Sequence, residues 1–165
     1  FWCLEPAFAE LKGVLDVECG YAGSDYANAN YEAVCTGNTG LAEVIHILFD
    51  PQIISYETLL QIFFVLHDPT TLNRQGNDIG TQYRSAIFTH HAAQNLTAQS
   101  MKNWVEQAIE QPVTTQIEAF NPAQYTRAEE YHQEYFERNP DNGYCQMMIP
   151  NKLSKLRANF VQLLK

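Results

Sequence analysis

Ala42-Glu43-Val44-Ile45-His46-Ile47-Leu48-Phe49 is an almost continuous apolar run, interrupted only by Glu43 and His46 and closed by Asp50-Pro51. A run of that length between turn residues reads as a strand buried on both faces. Upstream, residues 14–21 alternate apolar and polar around Val14, Leu15, Val17 and Cys19, then break at Gly20 and Gly23, a strand followed by a loop. Before that, Leu4, Ala7, Phe8 and Leu11 recur at helical spacing until Gly13, so a short helix starts near the first residue. Downstream, Ser55 can cap a helix bearing Leu59, Leu60, Phe63, Phe64 and Leu66, ended by Asp68-Pro69.

Residues 70–82 form a long polar loop, a common place for a site. A strand at 83–88, a helix over 91–111 and a strand at 113–120 follow. Thr126 with Glu129 reads as a capping box for a helix through Tyr131 and Phe136, and Pro150 introduces a final helix using Leu153, Leu156, Phe160 and Leu164. Helices and strands mix without strict β-α-β alternation. The expectation is one α+β two-layer domain over residues 1–165, a small mixed β-sheet covered by helices, with a ferredoxin-like core and long loops.

Composition narrows the function classes. The chain carries 19 acidic and 10 basic residues, a net charge of -9 that repels a phosphate backbone, so nucleic acid is not an expected partner. No run approaches the roughly 18 apolar residues of a membrane span, and no membrane association is expected. Cys3, Cys19, Cys35 and Cys145 are widely spaced, without a CxxC pair, which favours a reducing compartment such as the cytoplasm. His90-His91 adjoin rather than sit four apart on a helix face, and the cysteines lack zinc spacing, so no metal is expected.

Several segments resemble, in order, the motifs of the A-type peptide methionine sulfoxide reductases. They are Phe1-Trp2 with Glu5 and Phe8, Gly20-Tyr21-Ala22-Gly23, Tyr31 to Gly37, Gly40-Leu41-Ala42-Glu43-Val44, His67-Asp68-Pro69-Thr70, Asn73 to Ser85, Ala128 to Gln133, and Gly143-Tyr144-Cys145. The resemblance implies thiol-dependent reduction of methionine S-sulfoxide, free or in peptides and proteins, as a repair reaction under oxidative stress. It implies no bound cofactor, with thioredoxin or dithiothreitol as reductant, and the chain is expected to act as a monomer. The family's hallmark is Gly-Cys-Phe-Trp, whose cysteine attacks the substrate. Phe1-Trp2 would be its second half, so the nucleophile would stand just before Phe1. Cys3, further along the same stretch, is not expected to replace it.

The chemistry asks for three groups: a thiolate to attack the sulfinyl sulfur, a neutral acid for the departing oxygen, and an apolar wall for the methyl group. A cysteine ahead of the first helix would have its thiol pKa lowered by that helix end. Glu43, in an apolar run where ionisation is costly, fits the acid, and the resemblance assigns it that role. By the same resemblance Tyr31 and Tyr83 hydrogen-bond the oxygen, Asp78 orients the site, and Phe1 and Trp2 form the wall. Cys145, after Asn142-Gly143 in a stretch read as flexible and polar, carries over as the resolving thiol that condenses with the sulfenic acid, and residues 140–165 are read as this resolving-cysteine segment with the final helix. His132 is a possible support, and Cys19 and Cys35 are expected to pack quietly. Two alternatives stand beside this reading: a module that binds methionine sulfoxide without converting it, and a general thiol-disulfide exchange protein using Cys3 and Cys145.

Overall fold

The computed structural model describes residues 1–165. In chain order the elements are α1 (Glu5–Ala9), β1 (Val14–Ala22), α2 (Tyr31–Cys35), β2 (Ala42–Phe49), α3 (Tyr56–Leu66), β3 (Arg74–Gln75), β4 (Asp78–Ile79), β5 (Ala86–Thr89), α4 (Ala92–Ile109), β6 (Gln116–Ala119), β7 (Tyr125–Arg127), α5 (Tyr135–Arg138) and α6 (Gly143–Phe160). The α+β reading holds, with the strands divided among small sheets. β1 lies at the centre of an antiparallel sheet in the order β2-β1-β7, β5 and β6 pair in parallel, and β3 and β4 form a two-residue hairpin.

Helices cover these sheets because their apolar stripes have nowhere else to go. Ala7, Phe8 and Leu11 at the α1 end, Ile62 of α3, and Ile149 and Leu156 of α6 meet in one cluster, each at most 2% exposed. Burying side chains of this size is worth roughly 1.5–3 kcal/mol each, so this cluster ties the two ends of the chain together. A second cluster joins Leu60 and Phe64 of α3 to Met101 and Val105 of α4 and Ile87 of β5. Ser55 caps α3 as its position suggests, its hydroxyl accepting from the N–H of Thr58 at 3.1 Å.

Four local expectations fail for identifiable reasons. β2 is an edge strand, not one buried on both faces: Leu48 is 61% exposed, and sheet position, invisible in an apolar run, decides that. Thr126 caps no helix; it lies in β7, and the Glu129 carboxylate turns instead to Tyr21 and Tyr31. The segment after it makes only a 3₁₀ turn at Glu130–His132 and the short α5. The last helix begins at Gly143, seven residues before Pro150, with Asn142 as its cap. Pro150 has no N–H to offer the turn before it, yet burial of Ile149, Leu153 and Leu156 carries the helix through. Finally, Tyr83 closes a 3₁₀ turn at Thr81–Tyr83, and the strand starts only at Ala86.

Candidate active site

A cavity of about 510 Å³ opens where α1, β2, the residues around β4 and the start of α6 converge, and it is lined by Phe1, Trp2, Tyr31, Glu43, Asp78 and Tyr83 among others. All the expected pocket residues except Cys145 are therefore brought to one place. Glu43 arrives there through strand pairing, since it stands opposite Tyr21 in the β1–β2 register, one residue in from the start of β2. Phe1 arrives through the helix: its carbonyl accepts from the N–H groups of Leu4 at 3.2 Å and Glu5 at 3.1 Å, so the first helical turn starts with it. The Phe1 nitrogen lies 3.4 Å from Glu43 Oε2.

The Glu43 side chain is only 9% exposed. Burial pushes its carboxyl above the ordinary carboxylate range, and the charged amino group of Phe1 offsets part of that rise. A carboxyl that binds its proton more tightly than an exposed one is therefore held at the cavity wall. Tyr83 is pushed up to about 12 by burial and then by Glu43, and Tyr31 is raised by burial first, then by Cys35. Both phenols stay protonated at neutral pH and can donate hydrogen bonds to an anionic oxygen.

The aromatic wall is built from both halves of the chain. Trp2 stacks on Tyr135 with ring centres 3.8 Å apart and planes within 5°, and its indole N–H donates to His132 Nδ1 at 2.9 Å. His132 is fully buried between Phe1 and Tyr31, with ring centres 5.0 Å and 4.6 Å away, and burial lowers its pKa. It supports the site by holding the ring of Trp2. Asp78 accepts from the Tyr144 hydroxyl at 2.7 Å, which fixes Tyr144 across the cavity rim.

Three supporting residues have no site role in the sequence reading. Glu129 accepts from the Tyr21 hydroxyl at 2.9 Å and the Tyr31 N–H at 3.0 Å, fixing the start of α2 and with it the phenol of Tyr31. Although burial alone raises its carboxyl, those donors hold it below the usual value. Tyr135 and Tyr144 are the others. No spacing ties them to Phe1-Trp2 or Asp78, although an alternate reading of the aromatic density after Tyr125 could have flagged them.

The cysteines divide differently from expectation. Cys145 is not in a flexible stretch; it sits in the first turn of α6 at 0% exposure, inside the main core cluster. Burial raises its thiol pKa, and Cys3 raises it further. Cys35 does not pack quietly but is exposed at the end of α2, while Cys19 is fully buried. All four are free thiols.

A two-layer α+β domain that gathers a buried carboxyl of raised pKa and two phenols in an aromatic pocket has the make-up of an enzyme site. Its sequence matches the peptide methionine sulfoxide reductase family over residues 1–164, and the chain belongs to that family. It is similar to the peptide methionine sulfoxide reductase MsrA of Polynucleobacter asymbioticus, at 49% identity over 99% of this chain and 86% of that protein. It is 51% identical to the MsrA of a Nitratiruptor species over 100% of this chain and 94% of the other. Among solved structures, reduced Mxr1 from Saccharomyces cerevisiae superposes with a TM-score of 0.82 at 33% identity, covering 90% of this chain and 85% of that one. Mxr1 has also been solved in complex with Trx2. No helix is long and apolar enough to cross a membrane.

Proposed function

We propose that this domain, joined at Phe1 to the cysteine of the family's Gly-Cys-Phe-Trp pattern, reduces methionine S-sulfoxide, free or in peptides and proteins, to methionine. The observation that carries the reading is the 3.4 Å approach of the Phe1 nitrogen to Glu43 Oε2, because any residue joined there is set beside a buried acid. The attacking thiolate meets the sulfinyl sulfur while Glu43 passes its proton to the oxygen. The hydroxyls of Tyr31 and Tyr83 share the charge developing on that oxygen. Phe1 and Trp2 hold the methyl group, and Asp78 orients the rim through Tyr144. The oxygen leaves on the cysteine as a sulfenic acid and methionine departs.

Cys145 then condenses with the sulfenic acid, releasing water and forming a disulfide before further oxidation intervenes. Its burial means that the first turn of α6 must open for this step. A thioredoxin-type dithiol reduces the disulfide, in line with the Mxr1–Trx2 complex of that relative, and no bound cofactor takes part. Residues 1–165 work as one catalytic domain, with 140–165 supplying the resolving cysteine and the last helix, in a reducing compartment such as the cytoplasm.

The test is to extend the chain by Gly-Cys before Phe1 and supply the separate S and R epimers of a peptide methionine sulfoxide with dithiothreitol. Turnover of the S epimer is expected, and a correctly folded extended protein that converts neither epimer would sink the reading.

A further inference from the structure

The pocket around Glu43 is one end of a longer space, since the same cavity is lined by residues 43–47 of β2 and 86–88 of β5. Successive side chains of a strand point to opposite faces, so a cavity that touches five consecutive residues meets the strand along its edge. β2 ends the sheet β2-β1-β7 and β5 pairs only with β6, so each has a free edge. The bonds already made fix which peptide groups point there. On β1 the Cys19 N–H donates to Gln133 Oε1 and the Cys19 carbonyl accepts from Ala128, both at 2.9 Å and both on the β7 side. Main-chain groups alternate, so Glu18 and Gly20 face β2 and bond their partners His46 and Val44. The N–H and C=O of Glu43, Ile45 and Ile47 therefore point off the free edge. On β5 the carbonyls of Ser85 and Thr89 accept from Gln116 at 2.9 Å and Phe120 at 2.8 Å, so those of Ala86 and Phe88 point away from β6. Two buried polar atoms on the cavity wall, the Tyr56 hydroxyl and Gln82 Oε1, also have no hydrogen-bond partner.

We propose that the slot between the β2 and β5 edges takes an extended segment of the substrate peptide, next to its methionine sulfoxide, as an added strand. This rests on the function proposed above and names its substrate class: methionine sulfoxide in an extended chain with apolar neighbours. Glu43 is both the acid of that function and the first residue of the free β2 edge, so a chain paired with β2 leads straight to the oxygen-binding groups. In strand addition the main-chain bonds supply affinity and the walls supply preference. Here the walls include Ile45, Ile47, Leu60, Phe63 and Ile87, which favour apolar side chains. Residues 43–47 span about 13 Å at roughly 3.3 Å each, room for about four residues. The far end is bounded by His46 and His90, whose rings stack with centres 5.3 Å apart. A helical segment has its own peptide groups bonded internally and nothing to offer either edge.

Main-chain methylation tests this, because it removes an N–H and leaves the side chain alone. The Gly-Cys-extended chain, with dithiothreitol, is given N-acetyl-methionine S-sulfoxide methylamide, a pentapeptide with valines on both sides of the sulfoxide, and the same pentapeptide N-methylated at the valines of one side or the other. The pentapeptide is expected to have a KM about tenfold below that of the blocked residue at similar kcat, and N-methylation on one side to abolish the advantage. Ile45→Pro removes an N–H that β1 does not use, at an edge position where proline is tolerated. That variant should reduce the blocked residue normally and lose the preference for the pentapeptide; if it does not fold, the N-methyl series on the unsubstituted chain decides alone. Equal KM for blocked residue and pentapeptide would overturn the added strand, as would N-methyl peptides as good as their parent or a folded Ile45→Pro chain that keeps the preference. A dimer in sedimentation with no peptide preference would put a second copy in the slot and overturn it too. No turnover of the blocked residue by a folded extended chain would instead overturn the function on which the strand rests.

Discussion

Glu43 can give up a proton only while it holds one, so the residue's usefulness is set by the balance between burial and the charge beside it. Burial wins, raising the carboxyl, and the leading opposing influence is the amino group of Phe1. Joining any residue to Phe1 turns that nitrogen into a neutral amide, so acetylating it should raise the Glu43 pKa further; a carboxyl NMR titration showing no upward movement would contradict this cause. In the active chain the rate of the first chemical step should be highest while Glu43 is protonated and fall as pH rises through its raised value. Glu43→Gln should lose that limb along with roughly 10²–10⁴-fold of the rate, read by single-turnover quench, while Cys145→Ala keeps one turnover. The same shift has a stability consequence. A folded pKa above the unfolded one stabilises fully below the ordinary carboxylate value, and that contribution is lost as pH rises through the folded value.

At the scale of elements, the first turn of α6 controls access to the resolving thiol. Asn142 Oδ1 accepts from the N–H groups of Tyr144 at 3.0 Å and Cys145 at 3.2 Å, satisfying two donors that the helix itself cannot. Removing such a cap costs about 0.5–2 kcal/mol. If Cys145 is reached by local opening of that turn, Asn142→Ala should speed its alkylation by roughly two- to thirty-fold with little change in global unfolding. Unchanged labelling would show that the thiol is reached by another route. The sequence displayed this element only in part: Leu153, Leu156 and Phe160 carry a visible helical period, but Pro150 looks like a start because a proline is usually excluded from a helix interior. What overrides it is packing of Ile149 and Leu156 against α1 and α3, a contact between distant segments that has no local signature. The long periodic pieces, α3 and α4, were legible for the opposite reason, since each carries its own period and cap. The candidate site follows the same division: Glu43 stood out as a charge in an apolar run, whereas Glu129, Tyr135 and Tyr144 reach it only through tertiary folding.

Across the whole molecule the net charge of -9 acts on every reagent that approaches the site. A field of one sign lowers the local concentration of like-charged ions and raises that of opposite ones, and salt screens it over about 10 Å at 0.1 M. The cavity is not uniformly acidic, because Lys152 faces it beside Asp78, so the prediction concerns the long-range approach and not the final contact. Reduction of the oxidised enzyme should therefore depend on the charge of the reductant at low salt. Mercaptoethanesulfonate, an anion, should react several-fold slower than neutral mercaptoethanol of similar thiol chemistry, and moving from about 10 mM to 500 mM salt should close most of that gap by shrinking the screening length from roughly 30 Å to a few ångströms. Stopped-flow measurement of tryptophan fluorescence is a suitable readout, as Trp2 lies in the pocket wall. If the two thiols respond equally to salt, the field at the site is set locally, by groups such as Lys152, and the molecule's overall charge has no part in choosing its reductant.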